Sequence, residues 1–385
     1  MSATALAPSG LRLEVAPSIA ELDPETWDAV GTSDDLQATH RFVRACEESG
    51  VEHAAYRHVM VWDAEGPAAV ASFSQMRVSL DLLSTGLTRA AIRAARRLRP
   101  DLLRVPLVFG GLPVSFGRSC LRARPGADLG GILPALHEVG ERFAAETGAR
   151  MVCFKEFDTD ETARLGPLAA RGYFRAASLP SCRLALAWPG FDAYVAAMRS
   201  GYRRQLLASL RAREREHLSV RVADDWLADC PRIFTLYEQV MDRAPFQLER
   251  LNLAFFEKLA TLLRGESLAI LIERDGTAVA AAVMLLSPRL ATWLLAGIDY
   301  RVNRRCQAYL NVAAEVVRAA IASGAAALEM GQTSYDLKGR MGAVAAPRTL
   351  LLRYRSRPGH ALLHAGSHFL FPVPDVRLRR VFREA

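Results

Sequence analysis

The sequence has no clustered cysteines, no apolar run long enough to cross a bilayer, and little lysine beside its arginine. Its six cysteines, Cys46, Cys120, Cys153, Cys182, Cys230 and Cys306, lie far apart, with no CxxC and no Cys/His cluster. That scatter argues against a zinc site and for reduced cytosolic thiols. His360, His364 and His368 recur every four residues, a spacing that would share one helix face, but no Cys or carboxylate accompanies them. No metal is expected. Nothing approaches the roughly 20 apolar residues of a spanning helix. Met1 to Gly10 has neither a basic leader nor an apolar segment, so the expected location is cytoplasmic. There is no Gly-x-Ser-x-Gly elbow and no sign of a Ser/His/Asp set, so catalysis without a covalent enzyme intermediate is expected.

What remains is ordinary globular composition: 385 residues, 51% hydrophobic and 23% charged. At roughly 100–200 residues per domain this length suggests two domains, each able to bury a core. The formal net charge of +8 points to a polyanionic partner, or simply to an Ala- and Arg-rich chain.

The order of elements repeats. In the first half, apolar runs at Tyr56 to Asp63 and Ala68 to Met76 flank a turn at Ala64-Glu65-Gly66. A strand at Leu102 to Gly110, a helix at Gly131 to Glu146, a strand at Met151 to Phe157 and a closing strand at Arg183 to Ala187 follow. The second half opens with a long helix from Phe191 to His217. It continues with a hairpin around Arg274-Asp275-Gly276 and a third strand at Leu290 to Ile298. A helix at Cys306 to Ser323 and strands at Ala326 to Met330 and Thr349 to Tyr354 complete it. The expected units are residues 1–189, residues 190–357 and a tail at 358–385, divided at Trp188-Pro189-Gly190.

That order resembles the GNAT fold, a mixed α/β sheet, here as two tandem domains. Leu168 to Phe174, with a helix stopping at Gly172 and an aromatic residue opening a strand, resembles the end of a GNAT domain. Gly331 to Gly342 contains Tyr335, Lys338, Met341 and Gly342. It is similar to the Tyr-x-x-Lys-x-x-Phe-Gly signature of the Fem family, with Met341 in place of Phe. Phe191 to Tyr194 followed by Tyr202-Arg203-Arg204 resembles the basic helix that opens the second Fem domain. The resemblance implies an acyltransferase that moves an aminoacyl group from tRNA to an amine, or an acyl group from acyl-CoA.

Acyl transfer to an amine needs a held donor, a neutral nitrogen and stabilisation of an oxyanion. Lys338, just past a strand end, is the first candidate; the resemblance gives it the task of steadying the reacting ester, and a solvated lysine is the plain alternative. Tyr335 offers a phenol or is a packed aromatic. Gln332, Thr333 and Ser334 line a cleft or cap the next helix. Asp299, beside Tyr300, would accept a proton from the incoming ammonium or merely form a turn.

CoA-binding GNAT domains cradle pyrophosphate in a glycine-containing loop ahead of the central helix. The matching stretch, Tyr300 to Ala308, has no glycine and offers Arg301, Arg304 and Arg305 instead. A looser match, Arg122 to Gly131, sits in the first half. Arginines also line two helices, at Thr88 to Pro100 and after Phe191, where Arg203 and Arg204 lie; such stripes suit RNA phosphates, an acidic membrane or solvent. Aminoacyl-tRNA is therefore the expected donor, with no other cofactor. Acyl-CoA is the alternative, and a non-catalytic GNAT-like binding module the third reading.

Overall fold

The computed structural model describes all residues except 1–2, 7–9, 32–33, 82–83, 85, 101, 115–116, 120, 245–247, 374–375 and 384–385; within helices and strands, the side chains of 3–6, 87, 93 and 304 are also outside it. Cys120 and the side chain of Arg304 thus lie outside the described residues.

Turn chemistry places the strands. At the second-half hairpin Asp275 and Gly276 both have positive φ (49° and 73°), as a two-residue type I′ turn requires. The first half supplies β1 (Ala3–Leu6), β2 (Arg12–Ala16), β3 (Ala55–Asp63), β4 (Gly66–Ser79), β5 (Arg104–Gly110), β6 (Arg122–Ala123), β7 (Met151–Phe157) and β8 (Phe174–Ala185). The second supplies β9 (Ser219–Ala223), β10 (Ser267–Arg274), β11 (Thr277–Leu286), β12 (Leu290–Ile298), β13 (Ala327–Gly331) and β14 (Val344–Tyr354). They form one mixed sheet in the order β1-β2-β3-β4-β5-β7-β14-β8-β13-β12-β11-β10-β9, with β6 beside β4.

Each half contains an antiparallel meander ending in a parallel pair, β5 with β7 and β12 with β13. A parallel pair needs a long crossover, and the helices Leu129–Glu146 and Ala308–Ala322 provide it. The closing strands depart from expectation, because they are exchanged. β14 pairs with β7 of the first half, Tyr354 opposite Met151, while β8 pairs with β13 of the second, Ala185 opposite Ala327. The halves are also welded by an apolar core in which the Phe42 and Phe255 rings meet edge to face at 6.3 Å. Residues 1–189 expressed alone would leave the fully buried β7 as an open edge. We expect that fragment to give no cooperative thermal transition by circular dichroism; a sharp transition in a monomer would contradict the exchange.

Two expected helices are broken. Phe191 to His217 divides into Phe191–Ala197 and Ser200–Arg215, because Met198 and Arg199 are extended. The tail pins them there: Arg199 N donates to Val381 O (2.8 Å) and Arg383 N to Ala197 O (3.0 Å). Before the crossover helix, Tyr300–Cys306 forms a helix of its own, separated by Gln307 at φ 49°. The tail begins as the helix Arg357–Leu370, where His360 and His364 flank the Phe174 ring. Among the described residues no group of three or more His, Cys, Asp or Glu could hold a metal, and no helix is long and apolar enough to cross a membrane.

Candidate active site

The site opens where β12 and β13 part. Their pairing runs only from Leu290/Ala327 to Thr292/Glu329, after which β12 continues alone to Ile298. Diverging parallel strands leave backbone groups of β12 without a ladder partner on that side. In the same stretch Leu294 is an extra residue, since Trp293 lies opposite Met284 and Leu295 opposite Val283. Such bulges re-aim a strand at functional sites. The Leu295 carbonyl, in this unpaired stretch, instead accepts from the Trp293 indole (2.8 Å).

A cavity of about 220 Å³ fills the wedge. Trp293 to Ala296 form one wall, Met330 to Thr333 with Lys338 the other, and Tyr309, Tyr237 and Glu249 close it. The turn leading out of β13 is strained: Gly331 (φ 67°), Thr333 (65°) and Ser334 (50°) are all left-handed. Two non-glycine residues in that region within three positions cost energy that the surroundings must offset, a pattern concentrated at working sites. The next helix, Tyr335–Arg340, is thereby tucked under the cavity.

Lys338 sits on it, 5% exposed, and Nζ donates to the Gln332 carbonyl at 2.6 Å. Among the described residues it has no carboxylate partner. Burial, resisted only by the neighbouring Cys182, pushes its pKa down to about 8. At neutral pH Lys338 is still largely an ammonium, with one acceptor among the described residues for three donor positions. Gln332 Nε2 donates to Leu179 O (2.6 Å), and Tyr335 donates its phenol to Pro180 O (3.1 Å). Both anchor the turn to β8, so the strand exchange positions the site. Ser334 occupies the helix N-cap but its side chain caps nothing; its Oγ pairs instead with Tyr309 Oη (3.0 Å). Gly342 completes the motif because a side chain there would overlap the Phe382 ring.

Residues 197–339 match the family model described as "Acetyltransferase (GNAT) domain". The chain is an acyltransferase of the GNAT fold. No curated protein matches it in sequence. Solved structures match it in fold at low identity. FemX aligns at TM-score 0.57 and 12% identity, covering 89% of this chain and 98% of its own. A putative lysylphosphatidylglycerol synthetase C-terminal domain from Agrobacterium fabrum aligns at 0.53 and 14%, covering 94% and 100%. A tandem GNAT protein from the clavulanic acid biosynthesis pathway aligns at 0.50 and 12%, covering 89% and 99%.

Within this GNAT fold the expected residues separate. Lys338, Gln332 and Thr333 line the cavity, with Ser334 joined through Tyr309. Asp299 is elsewhere: it caps the helix Tyr300–Cys306 through Arg301 N (3.0 Å) and binds the Arg301 guanidinium with both oxygens (3.0 and 2.7 Å). Those bonds hold its pKa below the usual carboxylate range, which suits a cap better than a base. Tyr300 stacks under Arg243 (4.3 Å) and Arg305 is exposed, neither lining the cavity. Arg203 and Arg204 lie on a shallow outer patch with Leu207 and Arg211. Of the first basic helix, Arg96 turns inward to Asp81 and Leu102 O.

Sequence reasoning missed Tyr309, Trp293, Tyr237 and Glu249. Tyr309 and Trp293 lay inside expected elements whose facing was not assigned. Glu249 is in a connecting segment with no pattern to mark it.

Proposed function

We propose that the chain transfers an aminoacyl group from aminoacyl-tRNA to the amine of a small molecule or peptide, forming an amide. The observation that carries this reading is that both stretches resembling a CoA phosphate loop are filled by the chain's own side chains. In the second half, Asp299 takes the Arg301 amide and Asn303 Oδ1 takes that of Tyr309 (3.1 Å). In the first half, Asp128 accepts from Gly130 N and Gly131 N (2.8 and 3.1 Å), where a pyrophosphate would have to sit. The arginines there are also engaged, Arg122 with Asp35 and Arg124 with Asp63 and Glu65. An RNA donor needs no such cradle. Its phosphates suit the outer row of Arg203, Arg204 and Arg211.

In the reaction, the acceptor nitrogen attacks the ester carbonyl carbon and its excess proton goes to a base. The C–O bond to the tRNA ribose breaks, and the ribose oxygen leaves as a hydroxyl after taking up a proton. The Lys338 ammonium stabilises the oxyanion. The base role expected of Asp299 passes to Glu249, the carboxylate that lines the cavity among the described residues. A lysine-like amine with a pKa near 10.4 is mostly charged at neutral pH, so such a base is needed.

The reading is tested by incubating the protein with an amine panel and either a charged tRNA pool or acetyl-CoA, with products weighed by mass spectrometry. Amide products that require charged tRNA are expected. Acetylated products from acetyl-CoA, with none from tRNA, would overturn it.

A further inference from the structure

The chain has three lysines, Lys155, Lys258 and Lys338. Lys258 is a surface residue paired with Glu48 (2.5 Å). The other two are buried, on either side of Gln332. Lys155, on β7, is 2% exposed, yet among the described residues its Nζ has no hydrogen-bond partner; it lies over the Phe109 ring at 4.8 Å. An ammonium taken from water without an acceptor is costly and calls for a reason.

Its position is fixed. Phe157 lies opposite Thr349 and Phe154 opposite Leu351, so β7 carries one residue more than β14 between them, and Glu156 at φ 68° marks the bulge. The Lys155 stem runs against Gly111, where a side chain would come within 2.9 Å of Cε. The group lines a second cavity of about 100 Å³, otherwise walled mostly by apolar side chains such as Leu107, Phe109, Leu350 and Phe371. Glu156 also lines it, but its Oε2 accepts from Gly117 N (3.2 Å). Leu179, Leu248 and Gln332 belong to the walls of both cavities. The second space is therefore an annex of the acyl-transfer cleft.

We propose that this annex is the acceptor subsite and takes a carboxylate on a short apolar stem, the carboxylate pairing with Lys155 and the amine reaching past Gln332 toward Lys338. A single ammonium in an apolar wall suits one carboxylate; a phosphate would call for several donors. The assignment of the amine rests on the acyl-transfer reading above, whereas the Lys155 pairing does not. It is tested by thermal shift of the full chain with hexanoate, 6-aminohexanoate, hexylamine and inorganic phosphate, for the wild type and Lys155→Met. Both carboxylates should raise the wild-type Tm at millimolar concentration, hexylamine and phosphate should not, and Lys155→Met should lose the response while remaining at least as stable without ligand. Equal shifts in both proteins, or none in the wild type, would overturn the subsite. So would unfolded Lys155→Met together with Lys155→Arg that folds but keeps no carboxylate response. If hexanoate binds through Lys155 but charged tRNA yields no product, the donor reading fails and the subsite stands.

Discussion

Lys338→Ala is expected to lower kcat/KM about 10²–10³-fold, the loss typical of removing one oxyanion donor. The fold should not suffer. The lysine is buried, among the described residues without a carboxylate partner, and its pKa of about 8 lies below its ordinary value near 10.5. The sign follows from proton binding. Below about pH 8 both folded and unfolded chains hold the proton, and the full burial penalty applies. Between about 8 and 10.5 the unfolded chain holds a proton that the folded one has released, so this group's contribution to stability rises with pH. Lys338→Met should therefore match or exceed the wild type in denaturant midpoint at pH 7, and the gap should narrow by pH 10. For activity the direction is opposite: the donor is the ammonium, so the wild-type rate should carry a falling limb near pH 8 that is missing from the residual rate of Lys338→Met. A rate that climbs through pH 8 and depends on Lys338 would make the residue a base instead.

Gly297→Ala is expected to destabilise the protein by about 3 kcal/mol, near the upper end for overpacking, because backbone is in the way. A Cβ there would lie 2.6 Å from Leu236 Cβ and 2.9 Å from the Tyr237 amide nitrogen. The helix Cys230–Met241 carries Tyr237 into the cavity, so any movement that relieves the clash also deforms the site. The same substitution at Gly201, in the helix Ser200–Arg215 with open space around it, should instead stabilise by up to about 1 kcal/mol. Urea denaturation of the two variants checks both signs. A Gly297→Ala protein as stable as the wild type would show that the helix does not rest on β12 as described.

Much of this was readable from residues that act locally. The Asp275-Gly276 turn, the alternating strands and the Lys338 motif after a strand end all declare themselves in short windows. The repeat of element order showed two GNAT-like halves. What escaped depends on distant partners. Nothing near Thr349 tells that its strand lies against Phe157, nor near Met198 that residues 381–383 will break the helix there. At Asp299 a strand-end position suits a base as well as a cap, and the contact that favours the cap, with Arg301, is not marked in the sequence. Lys155 carries no motif. Its meaning comes from a bulge and an apolar wall that only the sheet assembles.

Binding of charged tRNA, uncharged tRNA and acetyl-CoA to the intact protein at two salt concentrations tests the donor most directly. The expected result is tRNA binding that weakens steeply with salt, as when several arginines displace counterions, and no saturable binding of acetyl-CoA. Saturable acetyl-CoA binding without tRNA binding would contradict it.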